Sequence, residues 1–93
     1  MDNYTKLRKK IVLLLYEVLE KRTKTIEDLE TCSIAITETN ASMYEERKKL
    51  IYKNERLYAI LTELNVKKKM LSELLDFAHN IEIETTESEL PTT

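Results

Sequence analysis

Leu29–Leu50 reads LETCSIAITETNASMYEERKKL, and whether the chain forms one rod or two helices turns on it. Its middle is crowded with Thr31, Ser33, Thr37, Thr39, Asn40 and Ser42. Such side chains compete with the helix for backbone hydrogen bonds and favour caps and turns. Yet Leu29, Ile36, Met43 and Leu50 keep a seven-residue spacing straight through it, and a loop has no obvious reason to preserve that phase. Phase is the stronger signal. The expectation is all-α, with one coiled-coil helix over residues 4–80 spanning on the order of 110 Å at 1.5 Å per residue. The alternative is an antiparallel αα-hairpin with its turn near residues 31–42, a connection of ordinary length in bundles.

Outward from this stretch the same seam extends from Leu15 to Ala78 in alternating steps of three and four, a repeat that holds one face against a neighbouring helix. One alternate set (Leu15, Leu29, Ile36, Met43, Leu50, Leu57, Leu64, Leu71, Ala78) is apolar apart from Arg22. The other (Leu19, Ile26, Leu61, Leu75) is interrupted by Ser33, Asn40, Arg47, Asn54 and Lys68. Polar residues at such layers lower stability while fixing register, a role expected of Asn40, Arg47 and Asn54. Residues 1–22 follow a shifted seam, Tyr4, Leu7, Ile11, Leu14 and Val18. Joining it to the main one takes two four-residue steps, a stutter near residues 18–26. Residues 1–3 read as an N-terminal cap, with Asp2 or Asn3 as the capping residue. Residues 81–93, acidic and threonine-rich with Pro91, read as a disordered tail.

Composition supports the all-α reading. The 93 residues contain no glycine and one proline, whereas sheet-containing domains need left-handed and sharply turned positions that glycine usually supplies. The net charge of -2 selects neither a polyanion nor an anionic membrane. Cys32 is the single cysteine and has no internal disulfide partner, which fits a reducing cytoplasm or nucleus. Basic residues precede the apolar run Ile11–Tyr16, but six residues fall short of the roughly 7 to 15 of a signal peptide and the ~20 of a membrane span.

No constellation for catalysis stands out. His79 is the only histidine and lacks a second imidazole or thiolate at ligand spacing; a helix-end histidine is the simpler reading. Cys32 has no local base to activate it and reads as a small packed side chain. Glycine-rich phosphate loops are impossible. The expectation is no enzyme, cofactor or metal.

Partners are the richer subject. In a parallel homodimer the residues flanking the seam pair five places apart, and pairs such as Glu46 with Ile51 and Lys53 with Tyr58 form no salt bridges. Instead Tyr16, Tyr44, Ile51 and Tyr58 form an apolar stripe beside the seam, with Val18, Ile60 and Leu74 on its other flank. An apolar arc wider than a two-stranded seam requires more than one neighbour. The chain therefore reads as a structural or adaptor subunit in a multi-helix intracellular assembly, suited to a different chain better than to its own copy. Leu29, Ile36, Met43, Leu50, Leu57, Leu61, Leu64, Leu71 and Leu75 would carry the contact, and Tyr44, Ile51 and Tyr58 would meet a second neighbour. A nucleic-acid-binding helix using the basic stretch 47–69 is the alternative, because residues 45–69 hold eight basic residues against four acidic ones. The mixed signs favour a solvated face.

Overall fold

A computed structural model describes residues 3–89. Helix α1 runs Asn3–Glu38 and helix α2 Tyr44–Glu89, with a short 3-10 turn, Ala41–Met43, leading into α2. The all-α expectation holds. The chain is not one rod, however: α2 folds back along α1 as an antiparallel αα-hairpin, the second of the two architectures.

The break falls where the side chains offer the backbone other partners. Thr37 and Thr39 hydroxyls donate to the Ile34 and Ile36 carbonyls, each at 2.7 Å, and the Thr39 amide also reaches the Ile36 carbonyl at 3.2 Å. These bonds take up carbonyls that a continuing helix would use. Asn40 is extended, at φ -118° and ψ 179°, so the chain leaves the helical path there. Its side-chain oxygen accepts from the Ser42 amide at 3.0 Å and from the Ser42 hydroxyl, while its carbonyl accepts from the Met43 amide at 2.9 Å. Asn40 therefore caps the start of the second helical segment, and Glu45 and Glu46 in the first turn of α2 complement its dipole. The described residues turn without any positive φ, which is why the absence of glycine does not forbid a hairpin.

Packing corrects the seam in α1 by one residue. The inward line runs Ile11, Leu15, Val18, Arg22, Thr25, Leu29, Cys32, Ile36, all buried or half-buried. Its steps of three and four are regular, so no stutter interrupts it. Thr25 and Cys32 take the layers expected of Ile26 and Ser33, and Val18 that of Leu19. Small side chains there allow close approach of the helices, and their polar atoms are satisfied: the Thr25 hydroxyl donates to the Lys21 carbonyl at 2.8 Å and the Cys32 thiol to the Leu50 carbonyl at 3.2 Å. In α2 the seam is as read, through Leu50, Asn54, Leu57, Leu61, Leu64, Leu71, Leu75 and Ala78.

Two polar contacts tie the register. Arg22, the odd member of the apolar set, donates from Nε to Asn65 Oδ1 at 2.7 Å. Asn54 donates from Nδ2 to Ser33 Oγ at 3.3 Å. The helical path continues through Glu89, beyond the boundary drawn at residue 80; glutamate-rich sequence tolerates a helix, and Ile81 remains half-buried. Asn3 is already helical. The cap candidate Asp2 and the tail residues 90–93, Pro91 included, lie outside the described residues.

Candidate interaction surface

A pair of helices buries one stripe of each, and this hairpin buries no more than that. No large side chain of the described residues is fully enclosed. Leu29 and Leu64 are buried, and Ile36, Met43, Leu50, Leu57, Leu61, Leu71 and Leu75 are half-buried. The nine seam residues expected to meet another protein thus lie along the contact between the chain's own helices. Of the residues expected to set register, Asn54 acts across that contact, Asn40 caps the turn, and Arg47 is exposed. Lys68 is exposed as well.

The residues assigned to a second neighbour are open. Tyr44 is 67% exposed, Tyr58 56% and Ile51 42%. They belong to sixteen large apolar side chains exposed among the described residues, far more than scattered surface hydrophobics account for. At about 100° per residue most of these sort onto two sides of the hairpin, while Leu13, Tyr52 and Val66 face away from the contact between the helices. On one side, Ile26, Leu29, Ile34, Tyr58 and Leu61 line a groove with Glu30 and Ser33, which Ile51 and Tyr44 extend toward the turn. On the opposite side, Leu14, Val18, Met70, Leu71 and Leu74 line a second groove, rimmed by Glu17, Lys21 and Lys67. Val18, Ile60 and Leu74 form a flank in the sequence pattern, and Leu14 belongs to its shifted N-terminal seam; Met70 and Phe77 are in neither. Their signal is legible, since Met70, Leu74 and Phe77 recur at helical spacing, but a seam read for one partner treats Met70 and Phe77 as solvent-facing.

The chemistry-bearing residues stay isolated. His79 is exposed, Cys32 is buried at 3% exposure, and no cluster of three metal-ligating side chains occurs among the described residues. No described helix is long and apolar enough to cross a membrane. The basic residues of α2 divide: Lys49, Lys53, Arg56 and Lys67 share one side, while Arg47 and Lys69 point toward the other by helical phase. Arg56 stacks over the Tyr52 ring at 6.0 Å.

No family model matches the chain, and neither a curated protein nor a solved structure matches it. Geometry alone therefore carries the functional argument.

Proposed function

We propose that the chain is a non-enzymatic structural or adaptor subunit whose hairpin supplies two helices of a larger helical bundle in an intracellular multiprotein complex. The observation that carries this reading is the open apolar surface on both sides of a hairpin with no fully enclosed large side chain. Two helices form one layer, and a helical layer is stable when its remaining apolar faces meet further helices. The lone buried cysteine suits a reducing compartment, cytoplasm or nucleus.

The aromatic side is the place for a different chain. Tyr44 opens α2 beyond Glu38, the last residue of α1, so a second copy aligned with the hairpin has no helix to lay over it. A foreign helix crossing Tyr44, Ile51 and Tyr58 does, and aromatic anchors of this kind dominate interface energetics.

The seam itself is a poor place to test this. Leu57→Asp would put a charge between the chain's own helices and unfold the hairpin before any partner is lost. The discriminating variant is Ile51→Asp with Tyr58→Asp, both exposed. Tagged chain recovered from its cells of origin should retain a defined protein, the double variant should lose it while keeping its helical circular dichroism, and Lys48→Ala should retain it. Equal recovery by the double variant would remove the proposal.

A further inference from the structure

The groove opposite the aromatic side carries charges in an order that identifies its occupant. By helical phase, Glu17, Lys21, Lys24 and Asp28 project from α1 on this side, and Arg56, Glu63 and Lys67 from α2, with Lys49 and Lys53 nearer the turn. All are exposed, and among the described residues none is held in an ion pair within the hairpin. Along α1, from Glu17 to Asp28, the signs run minus, plus, plus, minus. Along α2, read in the opposite direction from Lys67 to Arg56, they run plus, minus, plus.

The register fixed by Arg22 with Asn65 and Ser33 with Asn54 sets the levels. It places Glu17 within one helical turn of Lys67, Lys21 within one turn of Glu63, and Asp28 within one turn of Arg56, with the same small offset each time. Apolar residues follow the same rule, since Leu7 falls level with Phe77, and Leu14 with Leu74 and Met70. All five are exposed.

We propose that this side binds a second copy of the chain across a two-fold axis parallel to the helices, giving an antiparallel four-helix bundle. The proposal deepens the bundle reading above and rests on it. Under that symmetry α1 of one protomer lies beside α2 of its partner, antiparallel and at unchanged height. Every one of the three charge pairs then forms twice, and Leu7, Leu14, Ile60 and Leu74 close around the new core. Because the copy uses the groove side, the aromatic side stays free for the different chain.

Charge reversal with mixing tests this directly. The variant Glu17→Lys with Asp28→Lys turns both acidic α1 positions of the pairs basic, and Arg56→Glu with Lys67→Glu turns their two α2 partners acidic. Sedimentation equilibrium should give the unaltered protein twice the 11.0 kDa chain mass. Each variant alone should dissociate roughly tenfold more readily or worse, because attractive contacts become repulsive at four places. An equimolar mixture of the two should regain the doubled mass, since every basic α1 meets an acidic α2 and every acidic α1 a basic α2.

Rescue by mixing cannot arise inside one hairpin. A folded monomer for the unaltered protein, variants that dimerise normally, or a mixture that stays monomeric would each overturn the proposal. The recovery experiment with Ile51 and Tyr58 reads the other side, so its outcome separates a failure of this dimer from a failure of the bundle reading.

Discussion

Thr25 and Cys32 show how one residue decides a seam. Ile26 is more apolar than Thr25, so hydrophobicity places Ile26 in the contact and Thr25 outside it. The hairpin instead buries Thr25 and Cys32, whose small side chains permit close approach and whose polar atoms find carbonyls one turn away or across the contact. Val18 and Leu19 are both apolar, so nothing in the pattern of this region separates the two phases; the choice is made by shape. Thr25→Leu is therefore expected to destabilise the chain by about 1–3 kcal/mol through overpacking, where a reading that leaves Thr25 outside the seam predicts little change. Leu64, 5% exposed, belongs to the seam on either reading, and Leu64→Ala should cost about 2–3 kcal/mol, the low end for a buried leucine because the site opens toward solvent. Lys48→Ala should change stability by less than about 0.5 kcal/mol. Thermal melts followed by circular dichroism measure all three.

At the scale of elements, both helices were legible from period and composition, and most of the α2 seam was read correctly. The turn was harder because its two signals conflict. Its threonines, serine and asparagine announce a break, while Ile36 and Met43 keep the heptad phase because each closes the core on its own side of the turn. Asn40 resolves the conflict through local chemistry that periodicity does not register.

Its extended backbone also gives an unusual test. Proline at position 41 would follow an extended residue, as proline requires, and would occupy the first position after a cap, where it is favoured. Ala41→Pro should thus leave the hairpin intact or stabilise it by about 0.4–1 kcal/mol, whereas in the interior of a continuous helix it would cost ~3 kcal/mol. Asn40→Ala should cost about 1 kcal/mol through the lost cap, and Asn40→Gly only a few tenths.

For the whole molecule, the sequence pattern reads the seam as a contact with another chain, whereas the structure lays the chain's own two helices along it. The first neighbour is the chain's own other half, a fact that depends on where the chain reverses and so cannot be read from the seam. What the seam leaves over is open apolar surface, aromatic on one side and charge-patterned on the other, on which the proposed partners would dock. Both proposed partners depend on the reversal, because a continuous rod would separate Glu17 from Lys67 and present one unbroken stripe.

The distance between the two helices is therefore the measurement that matters most. Spin labels at positions 10 and 76, with Cys32 replaced by serine and the labelled chain diluted into unlabelled protein, report the intramolecular separation by pulsed dipolar spectroscopy. Antiparallel packing at the usual 8–10 Å between axes predicts roughly 20 Å between labels. A separation of about 100 Å, the length of one helix joining these positions at 1.5 Å per residue, would contradict the hairpin and everything built on it.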